Sequence, residues 1–346
     1  MPQGLLTIDL GAIVRNWRKL GAIHSSGAVA GVVKADAYGL GAAQVAPALR
    51  AAGCKHFFVA QTEEGVRLRQ SLGEGPMIAV LGGGAGPREA GLTPVLNTFD
   101  EIRAHRGPAI LQLDTGMARL GLDASELESL ARDPSPFEGV ELLYVMTHLA
   151  VADEPSHPLN ARQAERFAEA CGRLPPAPRS FANSSGIFLG DRFASDLARP
   201  GCALYGINPT PGHPNPMEPV VRLEIPVLQV RSIEPGQTVG YGASWTAARP
   251  TRVATISAGY ADGLPRAIDG RAKGVIRGAT VPMIGRVSMD LITLDVTDVP
   301  EAAPGDMIEL LGPAQDADAL AGLCGTIGYE ILTSLGNRYE RRYLPA

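Results

Sequence analysis

Ten residues, Val-Val-Lys-Ala-Asp-Ala-Tyr-Gly-Leu-Gly at positions 32–41, combine features that amine chemistry needs. The apolar run 28–33 is short, β-branched and preceded by Gly27, which predicts a buried strand. Lys34 stands where that strand ends. Gly39 and Gly41 allow a tight loop, and 42–52 reads as a helix. A lysine leaving an apolar strand into a glycine-rich loop is partly desolvated. Desolvation lowers its pKa and frees the amine as a nucleophile toward a carbonyl. A lone lysine in such a place more often snorkels to solvent, so the rest of the chain must decide. Only four lysines occur, at 19, 34, 55 and 273. Lys19 lies on an early helix, Lys55 begins a strand and Lys273 sits in a Gly-flanked turn, which leaves Lys34 as the amine suited to a buried role.

The elements that would position Lys34 follow from hydrophobic rhythm. A short strand at 5–9 and a helix at 10–24 come first. Apolar runs then occur at 28–33, 56–60, 77–81, 93–96, 109–113, 140–146, 179–182 and 195–198. Helical patterns lie between most of them, at 42–52, 62–72, 98–106, 123–132 and 159–172. The connections at 83–92 and 184–192 are less clearly helical. Eight strands alternating with helices over roughly 200 residues predict an α/β protein with a (β/α)8 TIM barrel. A doubly wound open sheet is the alternative, but Gly82, Gly83, Gly84 and Gly86 lack the spacing of a dinucleotide fingerprint.

After Tyr205 the texture changes. Pro209, Pro211, Gly212, Pro214, Pro216 and Pro219 crowd one stretch, which reads as a linker. Strand patterns at 220–233, 252–257, 274–277, 280–284, 291–296 and 306–311 follow, separated by Gly and Pro-Gly turns. Helices are expected near 316–323 and 329–335. The predicted division is a barrel over 10–215 and a smaller, mainly β domain over 216–346, with the N-terminal strand, 1–9, a candidate to join the latter.

Composition excludes several classes. The 346 residues are 45% hydrophobic and 19% charged, as in soluble globular proteins. A net charge of -5 without a basic run argues against nucleic-acid binding. No run approaches the roughly 20 apolar residues of a membrane span. Residues 1–10 lack the features of a signal peptide, so a cytoplasmic location is expected. Cys54, Cys171, Cys202 and Cys324 form neither a CxxC pair nor a metal cluster, so no metal site is expected and a reducing compartment fits.

In barrels of this kind chemistry gathers at the C-terminal ends of the strands. That rim would carry Lys34 after the first strand, 114–119 after the fifth and Thr147-His148 at the end of the sixth. Asn183-Ser184-Ser185 would follow the seventh, and Arg199-Pro200-Gly201-Cys202 the eighth. The loops after strands seven and eight form the common phosphate site of such barrels. Here they offer the Ser184 hydroxyl and the N–H groups of Gly201 and Cys202. A reactive lysine beside a phosphate cradle points to pyridoxal 5'-phosphate, whose aldehyde condenses with an amine. Taken singly, Ser184 could cap a helix, His148 could be a satisfied strand-end histidine, and Arg119 and Arg199 could be ion-paired.

Seven segments, in order, resemble the alanine racemase family. They are Val-Val-Lys-Ala-Asp-Ala-Tyr-Gly-Leu-Gly (32–41), Asp-Thr-Gly-Met-Ala-Arg-Leu-Gly (114–121), Ala-Asn-Ser-Ser (182–185) and Arg-Pro-Gly-Cys-Ala-Leu-Tyr-Gly (199–206). Gly-Tyr-Ala-Asp-Gly (259–263), Gly-Arg-Val-Ser-Met-Asp (285–290) and Gly-Tyr-Glu (328–330) complete the set. The resemblance implies a two-base racemisation of alanine, with Lys34 the base for the D-isomer and Tyr260 for the L-isomer. Tyr260 would have its pKa lowered by His148 and Arg199. Arg199 would face the pyridine nitrogen, which a guanidinium cannot protonate. Ser184, Gly201, Cys202, Tyr38 and Tyr329 would bind phosphate. Arg119 would take the substrate carboxylate with help from the Met289 N–H, and Asp290 would shape the site. The family also implies a homodimer with sites shared across the interface, and D-alanine supply to cell-wall peptidoglycan.

One position departs from the family pattern. Seven residues before Arg119, many members carry a carbamylated lysine; here it is Gln112, whose amide oxygen is expected to accept from Arg119. Three other readings compete: a fold-type III amino-acid decarboxylase, a non-catalytic pyridoxal-phosphate carrier, and a racemase of broader range. Arg199 argues against the first, and Tyr260 with the whole β-rich region against the second.

Overall fold

The computed structural model describes residues 4–84 and 90–346. The chain divides into two units: Gly11–Glu218, and residues up to Leu10 together with Pro219–Ala346. The Pro-rich stretch is therefore not a free linker. Through Glu218 it belongs to the first unit, because the Asn16 side chain binds the Glu218 N–H (2.8 Å) and carbonyl (3.0 Å).

The first unit is the (β/α)8 barrel. Its strands are Ala28–Val29 with Gly31–Val32, then His56–Val59, Met77–Val80, Thr93–Leu96, Gly107–Gln112, Val140–Met146, Arg179–Ser180 and Leu197–Ala198. All neighbours are parallel. Ala28–Val29 pairs with Leu197–Ala198 and Gly31–Val32 with His56–Val59, so one segment supplies both edges and the sheet closes. Strand interiors such as Phe57–Phe58, Ile78–Ala79 and Ala109–Leu111 are fully buried, as expected where helices cover a parallel sheet.

Helices Ala42–Ala51, Thr62–Leu72, Phe99–Ala104, Ala124–Arg132 and Pro158–Cys171 follow the predicted spans closely. Several begin with acidic caps at the mouth. The Asp123 carboxylate accepts from the Ser125 and Glu126 N–H groups, both at 2.8 Å. The 184–192 connection is two 3-10 turns, Gly186–Leu189 and Asp191–Phe193. Within the 83–92 connection, and at Gly86, residues 85–89 lie outside the described residues.

In the second unit the long strand Val221–Ile233 pairs antiparallel with Met307–Leu311 through its first half and with Thr251–Ile256 through its second. That bends the sheet round on itself. The N-terminal strand Leu5–Asp9 lies in this sheet, between Val221–Ile233 and Glu340–Leu344. Glu340–Leu344 escaped the apolar-run reading because Glu340, Arg341 and Arg342 make it a charged edge strand. Among the described residues, no helix is long and apolar enough to cross a membrane.

Candidate active site

Lys34 follows Gly31–Val32 at the C-terminal rim. The connection after it is not the glycine loop that the sequence suggests. Ala35, Asp36, Ala37 and Tyr38 all have positive φ, from 51° to 57°, so a single turn of left-handed helix precedes Gly39 (φ 80°). Each non-glycine residue in this region costs about 1–2 kcal/mol, and specific bonds hold the turn. The Ala37 N–H reaches the Val33 carbonyl (2.9 Å), and the Gly39 N–H the Ala35 carbonyl (2.7 Å). The Asp36 carboxylate accepts from the Ala42 N–H at 2.7 Å and so caps the next helix from a distance. The Glu64 carboxylate accepts from the Ala35 N–H at 2.6 Å.

The mouth is rich in cations. Burial lowers the Lys34 pKa, Arg119 lowers it further, and Glu64 opposes both. Arg199 is buried, and burial pulls its pKa down to about 10. Its two terminal nitrogens donate to the Ser180 hydroxyl and the Thr147 carbonyl, each at 2.6 Å. Lys34, Arg119 and Arg199 form no ion pair among the described residues. His148 registers the result: burial first, then Arg199, Arg119 and Lys34 push its pKa down to about 3. His148 is therefore neutral at neutral pH. Among these rim groups the arginines and the Lys34 ammonium carry the positive charge.

The loops after the last two strands are stitched together. The Ser184 hydroxyl accepts from the Gly201 (3.0 Å) and Ala203 (3.3 Å) N–H groups, so it caps the 3-10 turn Cys202–Tyr205 from a separate loop, and the Gly201 N–H is engaged within the chain. Tyr38 packs against Tyr205 with ring centroids 4.7 Å apart. A Cβ on Gly201 would lie 2.1 Å from the Tyr38 hydroxyl oxygen, so glycine is required for this approach. Cys202 is buried beside Tyr38.

The expected Gln112–Arg119 bond is not formed. Gln112 is buried, and its amide nitrogen instead donates to the Leu120 carbonyl at 3.1 Å. Gln112 thus secures the backbone next to Arg119, while the guanidinium itself is exposed. Sequence reasoning missed Gln163. Fully buried, it accepts from the Ala150 N–H (2.9 Å) and donates to the His148 carbonyl (2.9 Å) and the Thr115 hydroxyl (3.2 Å). A glutamine in a helix interior carries no pattern that sets it apart. Glu64 was also missed, although Gln61 and Glu64 have the spacing of a capping box.

In the β unit, Tyr260 opens the 3-10 turn Tyr260–Asp262 and is 43% exposed. The Tyr260 and Ala261 N–H groups donate to the Ser288 (3.1 Å) and Met289 (3.0 Å) carbonyls, which locks this turn to the 285–290 turn. Gly259 is required at the crossing, where a Cβ would meet the Ser288 and Met289 carbonyls at 2.3 Å. Asp290 pairs with Arg338 at 2.6 Å, and Arg338 also approaches buried Asp262 at 3.6 Å. Met289 is exposed, and half-buried Tyr329 sits in the first turn of the helix Gly328–Ser334.

Residues 8–209 match the family model for the alanine racemase N-terminal domain, and 220–343 the model for its C-terminal domain. The chain is 54% identical to a curated alanine racemase of Acidiphilium cryptum, over 99% of each chain. It is 52% identical to a catabolic alanine racemase of Mesorhizobium japonicum, covering 98% of this chain and 93% of that one. The crystal structure of alanine racemase from Bartonella henselae with covalently bound pyridoxal phosphate superposes with a TM-score of 0.94 at 44% identity, over 99% of this chain and all of that one. The biosynthetic alanine racemase of Pseudomonas aeruginosa gives 0.92 at 34% identity, with the same coverage.

Proposed function

The chain belongs to the alanine racemase family, and from that premise we propose that it interconverts L- and D-alanine with pyridoxal 5'-phosphate as cofactor. The observation that carries the reading is the barrel mouth itself. A desolvated lysine amine and two arginines without carboxylate partners surround a histidine held neutral, an environment suited to an anionic cofactor and a substrate carboxylate. The donor set therefore fits the cofactor.

When bound, the cofactor supplies an aldehyde for amine condensation and an electron-withdrawing ring beside the substrate Cα–H. Lys34 would hold the cofactor covalently through Nζ and, once the substrate amine has taken its place, the freed Lys34 amine would remove or return the Cα proton on one face. The Tyr260 phenol oxygen does the same on the other face, for the L-isomer. Arg119 grips the substrate carboxylate, assisted by the Met289 N–H, while Asp290 shapes that loop. Arg199 would serve the ring nitrogen as a donor, because a guanidinium stays protonated at neutral pH and has no acceptor to offer. Ser184, Gly201, Cys202, Tyr38 and Tyr329 would hold the phosphate, with the Gly201 N–H shared between it and the Ser184 hydroxyl, and neutral His148 would stand at the ring end of the site.

The enzyme works as a homodimer in which Tyr260 of one copy serves the Lys34 site of the other. The exposure of Tyr260 on its own unit supports this arrangement. The product feeds cell-wall peptide synthesis in the cytoplasm. With L-alanine and pyridoxal phosphate, the protein should generate D-alanine to an equimolar mixture, followed by loss of optical rotation. Lys34→Ala should lower the rate by about three orders of magnitude or more. Unchanged turnover in that variant would refute the reading.

A further inference from the structure

We propose that Glu64 is a positioning residue for Lys34: its carboxylate ties the left-handed turn bearing the reactive amine to the mouth end of the neighbouring strand. The inference rests on the reading of Lys34 as the cofactor amine.

Glu64 is the third residue of the helix Thr62–Leu72, and a capping glutamate at this position needs only the N–H groups at the helix start. One oxygen does that work, accepting from the Ala60 (2.7 Å) and Gln61 (3.1 Å) N–H groups. The other oxygen leaves the helix altogether and accepts from the Ala35 N–H at 2.6 Å. That N–H belongs to the peptide whose carbonyl is Lys34's own, so the bond acts directly on the residue that carries the amine. It also lies at the first of four successive positive-φ residues, where the backbone has most reason to relax to an ordinary conformation. Glu126 provides the internal contrast. It has the same place in the helix Ala124–Arg132 and caps its own start at Asp123 (3.0 Å), with no bond to a neighbouring strand's loop among the described residues.

The charge has a second consequence. The ionisable groups facing Lys34 are Arg119, neutral His148 and Glu64, and Glu64 alone is negative. Removing its charge leaves the amine facing only the Arg119 cation and a neutral imidazole. Glu64→Gln keeps one acceptor for the helix cap but sets an NH2 group against either the Ala35 N–H or the cap.

The test compares full-length wild type with Glu64→Gln, Glu64→Asp and Glu126→Gln. Two quantities are read: the pH profile of pyridoxal-phosphate capture by the cofactor-stripped chain, and the rate of cofactor release on dialysis. In Glu64→Gln the acid limb of capture should move to lower pH and release should accelerate about tenfold, the worth of one charge-assisted hydrogen bond. Glu64→Asp, shorter but still charged, should release cofactor faster with the acid limb unmoved. It also serves if the glutamine variant does not fold. Glu126→Gln should match wild type in both readouts. If Glu64→Gln or Glu64→Asp instead behaves like Glu126→Gln, losing only thermal stability, Glu64 is merely a helix cap. Failure of wild type to capture the cofactor at Lys34 would sink the functional reading as well, which separates the two failures.

Discussion

The two proposed proton-carrying groups live in opposite surroundings. Lys34 sits half-buried at the barrel rim, on a left-handed turn held by Glu64 and Asp36, where burial and then Arg119 depress its pKa. Tyr260 stands out from the β unit on a short turn fixed by backbone hydrogen bonds to residues 288 and 289. The barrel thus builds the electrostatic environment of its own base. The β unit fixes only the position of a phenol and leaves its chemistry to whatever surface it meets. Such a division of labour suits a site assembled from two copies of the chain.

The sharpest way to break this contrast is to separate the groups genetically. Lys34→Ala and Tyr260→Phe chains should each be nearly inactive, and a mixture refolded or co-expressed should recover about a quarter of wild-type activity. Half of its dimers are hybrids with one intact site of two. A mixture as inactive as its parts would place both groups of a site on one chain.

A smaller effect is expected at the Tyr38–Gly201 approach. Gly201→Ala forces a methyl against the buried Tyr38 hydroxyl, so the variant should lose about 1–3 kcal/mol of stability in denaturant unfolding and bind cofactor more weakly. Unaltered stability would mean that the approach is loose. No equivalent loss is expected at exposed Tyr260, where Tyr260→Phe should unfold like wild type.

The smallest effect concerns Lys34 in the cofactor-stripped chain. Its folded pKa lies below the unfolded value, so the folded state binds fewer protons and the chain gains stability as pH rises between the two values. Lys34→Met should therefore raise Tm by a few degrees at neutral pH. That advantage should shrink as pH climbs toward the ordinary lysine pKa, whereas a constant difference would deny that desolvation is the cause.

The sequence disclosed the barrel readily, because strands buried on both faces are written as apolar runs and their helices carry acidic caps. It disclosed Lys34 through its place at the end of such a run. The left-handed turn was hidden, since Ala35, Asp36, Ala37 and Tyr38 do not announce positive φ; tertiary bonds to Glu64 and Ala42 impose it. The neutrality of His148 was hidden for a similar reason, being the sum of burial and three cations drawn from separate loops. Gln112 was noticed as a departure, but a glutamine offers both a donor and an acceptor, and only the structure shows the donor in use. In the β unit, Gly259 and Gly263 marked the Tyr260 turn. Their necessity, with a Gly263 Cβ falling 1.9 Å from the Ser334 carbonyl oxygen, belongs to packing between distant segments.

The central claim is that one amine and one phenol work on opposite faces of the same carbon. Exchange of the Cα hydrogen with deuterated solvent, followed separately for L- and D-alanine in the Tyr260→Phe holoenzyme, tests it most directly. D-alanine should still exchange while L-alanine should not. Exchange from both isomers at wild-type rates would remove Tyr260 from the reaction.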